Sequence, residues 1–143
     1  MFAQWLDEHR TNIMDAYIAH RREKGDVRPK ETLVPAIELA LTIFIRSLRG
    51  EVDWVQTGAA AAKNALKQGT NLEGLIESSH GLYWAILRTL SDEQPAQRFE
   101  WVSILGDYML LSSQAVTRVL EEDLETQVAK RTEEVASFRA LAE

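Results

Sequence analysis

The chain has 143 residues, with 22 acidic and 16 basic side chains, a net charge of −6 and no cysteine. This length and an apolar content of 45% suit one compact domain. The negative charge disfavours nucleic-acid binding, because a basic face is needed to displace counterions from phosphates. The lack of cysteine excludes a disulfide scaffold, a thiolate nucleophile and a cysteine-ligated zinc site.

We expect neither a secretory signal nor a membrane span. Asp7 and Glu8 lie where a signal peptide would place its basic region and apolar run. The longest stretches without a charged side chain, Ser78 to Leu87 and Tyr108 to Thr117, are shorter than the ~20 residues that cross a bilayer. The sequence therefore predicts a soluble, cytoplasmic protein.

Helical spacing of apolar residues predicts an all-α fold of about five helices. The first is predicted from Phe2 to Lys24, with Gly25 after it as a stop signal. The second runs from about Glu31 or Val34 to Arg49, with Pro35 in its first turn and Gly50 at its end.

The third and fourth helices are predicted on either side of Gly69. The third runs from about Asp53 to Gln68, and the fourth opens with Thr70-Asn71-Leu72-Glu73, a capping box in which each end satisfies an amide of the other. Apolar residues spaced by threes and fours then continue to Leu90. A fifth helix follows Pro95 and meets no further proline before Glu143.

The fifth helix is too long for a globule of this size to bury, so its second half is expected to leave the body. Residues 1–120 contain 15 acidic and 13 basic side chains, whereas residues 121–143 contain seven and three. Six tail residues recur at alternating steps of four and three, as in a two-stranded coiled coil. They are Leu124, Val128, Arg131, Val135, Phe138 and Ala142. We favour a parallel dimer stalk; a single solvated helix folding back on the body is the alternative.

The first half of the fifth helix has apolar residues on more than one face. Such a helix either lies at the centre of the domain or is also buried against a partner. Because it leads directly into the tail, we predict self-association through it, with Trp101 and Leu105 among the contact residues. The third helix presents Gly58 and Ala62 on a smooth face. This face indicates either close packing of another helix or a ligand cavity beside it.

No catalytic or metal-binding template is complete in the sequence. A Gly-rich phosphate loop and a Gly-x-Ser-x-Gly elbow are both missing. His9 and His20 would lie about 16 Å apart along one helix, too far to share a metal. Glu77 and His80 have the Glu-x-x-His spacing of di-iron bundles, but no second copy exists. His80 also lacks the neighbouring cation or acid of a phosphoacceptor histidine. We therefore expect no enzyme activity and no metal.

The segment from Trp54 to Leu90 resembles the N-terminal domain of the RsbR family of stressosome proteins, which is also found at the front of bacterial sensor kinases. Its motifs are an opening Trp, an Ala-rich run at 58–63, the turn from Gln68 to Glu73 and the pair Tyr83-Trp84. The resemblance implies a globin-like helical fold without heme, a homodimer and a sensory role in a stress response. It also implies that a small apolar ligand can be bound, since some relatives accommodate fatty acids.

The tail from Leu124 to Glu143 is similar to the signalling helix that precedes PAS or kinase modules. It contains Leu-Glu-x-x-Val-x-x-Arg-Thr followed by Phe-Arg-Ala-Leu, which is similar to the opening of a PAS domain. This resemblance implies that the chain is the front end of a longer signalling protein.

Together these patterns predict a sensory domain at residues 1–120 and a coiled-coil signalling linker at 121–143. A signal or ligand bound by the body would shift the two fifth helices of a homodimer relative to each other. The tail would transmit that shift to a downstream module or partner protein. The candidate ligand-pocket residues are Gly58, Ala62, His80, Tyr83, Trp84 and Tyr108. No cofactor is expected; the alternatives are a heme-binding gas sensor with His80 as the iron ligand, and a pure protein-interaction scaffold.

Overall fold

The computed structural model describes residues 1–70, 72–93 and 95–142, and these ranges contain six α-helices and no strand. The helices are α1 (Phe2–Glu8), α2 (Arg10–Glu23), α3 (Lys30–Leu48), α4 (Trp54–Lys67), α5 (Leu72–Leu90) and α6 (Pro95–Ala142). Gly25, Gly50 and Gly69 follow α2, α3 and α4 at positive φ, which glycine adopts without steric cost. The predicted all-α fold with a long C-terminal helix is confirmed.

The predicted first helix is divided in two at His9, so this prediction was wrong. His9 leaves helical geometry, with φ −108° and ψ 19°. Its Nδ1 donates to the carbonyl oxygen of Trp5 at 2.7 Å, and its ring stacks on the Trp5 indole with centroids 4.3 Å apart. The carbonyl oxygen of Trp5 thus accepts a hydrogen bond from the His9 side chain. The break allows α1 to turn its Phe2 and Trp5 side chains into the core.

The other helix starts agree with the predictions, with one difference at α3. This helix begins at Lys30, so Pro35 lies inside it, beyond the first turn in which we expected it. Asp53 caps α4, since its side chain accepts a hydrogen bond from the Gln56 amide at 2.8 Å. The predicted capping box of α5 includes Asn71, which lies outside the described residues.

The helices surround one apolar core. The most extensive pairings are α2 with α5 and α4 with α6, while α3 contacts α1, α2, α4 and α5. The largest side chains with almost no exposure are Leu6, Ile13, Leu41, Phe44, Ile45, Ile86, Leu90 and Leu105. This body holds the first half of α6, and every described side chain from 121 to 142 is exposed.

The turn between α2 and α3 is held by a charged cluster centred on Asp26. Its carboxylate accepts hydrogen bonds from the guanidinium groups of Arg21 and Arg28, at 2.8 and 2.7 Å for the shortest of each. Arg21 also reaches Glu77 on α5 at 3.4 Å. Hydrogen bonds from the Arg28 side chain, and then from its amide and from Arg21, hold the pKa of Asp26 far below its ordinary value of 3.8, although burial opposes this.

Replacing Asp26 with asparagine should therefore make stability less sensitive to acid. A carboxyl group whose pKa is depressed by folding contributes stability above its unfolded pKa, and loses it as the pH falls below about 4. We expect Asp26→Asn to cost about 1–3 kcal/mol at neutral pH and less in acid. Urea unfolding followed by circular dichroism between pH 7 and pH 3 measures this difference, and parallel curves for the two proteins would contradict it.

Candidate functional site

A groove of about 330 Å³ lies between α5 and α6, and it is the candidate binding site. Ile76, Ser79, His80 and Tyr83 form its α5 wall, and Met109, Ser112, Ser113, Val116, Thr117 and Leu120 form its α6 wall. These positions recur at steps of three and four, so each helix contributes one face. The groove is open to solvent along one side, with exposed His80 at its edge.

Three polar groups join α4, α5 and α6 at the floor of the groove. The Trp54 indole N–H donates to the Ser112 hydroxyl at 2.9 Å and to the Tyr108 carbonyl oxygen at 3.2 Å. The Tyr83 hydroxyl lies 2.6 Å from the same Ser112 oxygen. Burial raises the pKa of Tyr83 above its ordinary value of 10.0, so the phenol stays protonated at neutral pH.

Two of the six predicted pocket residues, His80 and Tyr83, line this groove together. Tyr83 is 3% exposed and forms part of the floor. Trp84 is the next residue on α5, about 100° around the helix, and therefore faces elsewhere. Its ring stacks on His20 at 4.5 Å and lies 5.2 Å from the Arg88 guanidinium carbon.

The other predicted pocket residues, Tyr108, Gly58 and Ala62, are absent from the groove lining. The Tyr108 ring packs against Phe44 and Trp54, with centroids 5.0 and 5.7 Å away, and only its backbone carbonyl reaches the polar floor. Ala62 is 4% exposed on α4, the helix that runs along α6, which agrees with the close-packing interpretation of the small face. A Cβ atom at Gly58 would meet nothing within 4 Å.

The hydroxyl groups of the groove were missed by the sequence analysis. Ser112, Ser113 and Thr117 lie in the uncharged stretch of α6 from Tyr108 to Thr117, and this is the signal that could have identified them. Ser113 and Thr117 donate to the carbonyl oxygens of Met109 and Ser113, one turn earlier, at 3.1 and 2.8 Å. Their hydroxyl hydrogens are thus used by the backbone, and their lone pairs remain as acceptors.

The described surroundings of His80 offer few groups to hold a heme or a metal ion. His80 is exposed, and the described lining contains no Lys or Arg that could pair with heme propionates. Glu77, one turn away, lies within reach of Arg21 instead. Within the described parts of the chain, no group of three or more His, Cys, Asp or Glu side chains is placed to hold a metal ion.

The prediction that Trp101 and Leu105 mediate self-association was wrong in one respect, because both are buried in the core of a single chain. They are 3% and 2% exposed. Phe2 and Trp5 of α1 cover Trp101, with ring centroids 5.2 and 5.4 Å away. A surface contact through α6 must therefore use other residues.

Seven of the nine exposed large apolar side chains of α6 form one stripe; the other two, Leu111 and Leu141, lie on other faces of the helix. The stripe residues in the body are Phe99, Val102 and Leu110; in the tail they are Leu124, Val128, Val135 and Phe138. At 100° per residue these seven positions fall within about 80° of one another on a straight helix. Phe99 and Phe138, near the two ends, are 77% and 72% exposed. We call this set the α6 stripe. It includes four of the six predicted tail seam residues; the other two, Arg131 and Ala142, are also exposed on this side.

Comparisons with protein-family models, curated proteins and solved structures found no match to the chain. The likeness to the RsbR family therefore rests on the sequence motifs alone. None of the helices, over the described ranges, is long and apolar enough to cross a membrane.

Proposed function

We propose that the protein is a homodimeric sensory or regulatory domain of bacterial signal transduction, related to the RsbR family, that binds rather than catalyses. The observation that carries this proposal is the α6 stripe, which runs along one uninterrupted helix from the body to the end of the tail. The stripe has a body part, Phe99 to Leu110, and a tail part, Leu124 to Phe138, with Ser113 and Thr117 of the groove between them. Exposed apolar patches of this kind are typical of interaction sites.

The tail charges favour a second, parallel copy of the chain as the partner. With Val128 and Val135 at a positions of the heptad, Glu134 falls at g and Arg139 at the following e. These two positions meet across the seam of a parallel pair, so each dimer gains two opposite-charge contacts. Arg131 occupies a d position, where one charged residue lowers stability but fixes the register.

The continuity of α6 supports a relay from the groove to the tail. The α6 wall of the groove ends at Leu120, and the exposed seam begins one turn later at Leu124. The last ion pair to the body, Lys63 with Glu122 at 3.1 Å, lies between them. In this proposal residues 1–120 sense a ligand, and residues 121–143 pass a shift of α6 to a downstream module. The relay requires two arrangements of α6 in the dimer, and the ligand shifts the balance between them only if it binds one more tightly than the other.

Placing lysine at two seam positions should separate the dimer. The double variant Val128→Lys and Val135→Lys puts four charges into the seam of each dimer, where apolar contact is needed. We expect a dimer for the unmodified chain and a monomer for this variant at micromolar concentration, measured by light scattering coupled to size exclusion.

The matched control is Ala129→Lys together with Ala136→Lys. It adds the same charge at b positions, on the outer face of the helix and outside the seam. Both alanines are exposed, and this variant should remain dimeric. A monomeric unmodified chain would contradict the proposal. A seam variant that keeps its dimer would instead place the interface at Phe99, Val102 and Leu110.

A further inference from the structure

The α6 wall of the α5–α6 groove offers mainly hydrogen-bond acceptors to a ligand. On the α6 wall, Ser113 and Thr117 already donate to backbone carbonyl oxygens, so they offer acceptors to a ligand. On the floor, the Ser112 oxygen accepts from Trp54 and shares a hydrogen with Tyr83. A ligand group that donates a hydrogen bond therefore fits this wall better than one that only accepts.

The lack of charged side chains in the groove also favours an uncharged ligand. Its described lining contains no Asp, Glu, Lys or Arg. A carboxylate or phosphate placed against the α6 wall would lose water and meet the lone pairs of Ser113 and Thr117, without a Lys or Arg in the described lining to compensate. The donors that line the groove elsewhere are the Ser79 hydroxyl on the α5 wall and a ring N–H of His80 at the solvent edge.

We propose that the groove binds an uncharged molecule with an apolar body and a hydrogen-bond-donating head, such as an alcohol or primary amide. This inference rests on the sensory role proposed above and names the ligand class for that site. It departs from the ionised fatty acids suggested by the family resemblance. The α6 wall from Met109 to Leu120 is about 16 Å long at 1.5 Å per residue, which suits an extended aliphatic chain.

The test compares 1-octanol with octanoate, which share chain length and differ in the head group. Isothermal titration of the full chain at pH 8 should give octanol at least about tenfold tighter binding, a difference of 1.4 kcal/mol. Thr117→Lys adds a cation inside the groove and should reverse the preference. Gln114→Lys adds the same charge to the same helix at an exposed position outside the lining, and should leave the preference unchanged.

Several outcomes would overturn this inference. They are equal binding of the two ligands, binding of neither, or the same response in Thr117→Lys and Gln114→Lys. Thermal melting of both variants excludes loss of fold as the cause. The dimer measurement on the seam variants uses different variants from these titrations. A groove without ligand preference would therefore overturn the ligand class but not the proposed dimer.

Discussion

Gly81→Ala is expected to destabilise the protein by about 1–3 kcal/mol, because the new methyl group would overpack the contact between α2 and α5. A Cβ atom built at Gly81 stands 2.7 Å from Cε2 and 3.3 Å from Cδ2 of the Tyr17 ring. Tyr17 is 4% exposed and belongs to the core cluster, so its ring has little space to move. Urea unfolding followed by circular dichroism measures the loss.

Gly58→Ala provides a control of opposite sign. Gly58 also lies inside a helix, α4, but a Cβ atom there meets nothing within 4 Å. Alanine in a helix interior is favoured over glycine by about 1 kcal/mol, so this variant should gain stability by up to that amount. A neutral Gly81→Ala variant would show that the Tyr17 ring can yield, and that glycine is not needed for the α2–α5 approach.

The role of Gly81 illustrates which parts of the fold the sequence could predict. Helix type and extent were predictable because 3.6-residue periodicity and glycine stop signals are local properties of the chain. The need for glycine at position 81 depends on a ring 64 residues earlier in the chain, and no local pattern identifies that neighbour. The break at His9 was missed for a similar reason, since it depends on a side-chain bond to a backbone carbonyl.

The sequence could predict which residues of α6 are apolar but not what covers them. Trp101 and Leu105 belong to the same apolar pattern as Phe99 and Leu110, yet the first two are buried and the last two are exposed. The difference arises because α1 folds over one side of α6. Every described side chain beyond residue 120 is exposed, so heptad spacing alone assigns the tail residues to a face, and the coiled-coil seam stays a prediction.

Of the predicted pocket residues, only His80 and Tyr83, both on α5, line the groove. Trp84, which forms a sequence motif with Tyr83, faces away from the groove because neighbouring residues on a helix face different directions. The α6 hydroxyl groups acquire meaning only when α5 lies beside them, so their role in ligand choice required the tertiary structure.

Trp54→Ala is expected to cost about 3 kcal/mol, because this side chain joins three helices below the groove. Its ring packs against Phe44 and Tyr108, and its N–H donates to Ser112 on α6. Trp54→Phe keeps much of the ring contact and removes the donor, so it should cost about 1 kcal/mol. The Tyr108 carbonyl oxygen and the Ser112 hydroxyl retain other partners nearby, which limits that smaller loss.

Trp84→Ala is the matched control for Trp54→Ala. Trp84 is also half-buried, but it contacts His20 and Arg88 away from the groove. Hydrogen exchange should show lost protection in α4 and the first half of α6 for Trp54→Ala, with α2 protected as before. The control should instead affect α2 and α5. Equal loss of protection over all helices in both variants would mean that Trp54 supports the core as a whole, and that the polar floor does not link groove occupancy to the position of α6.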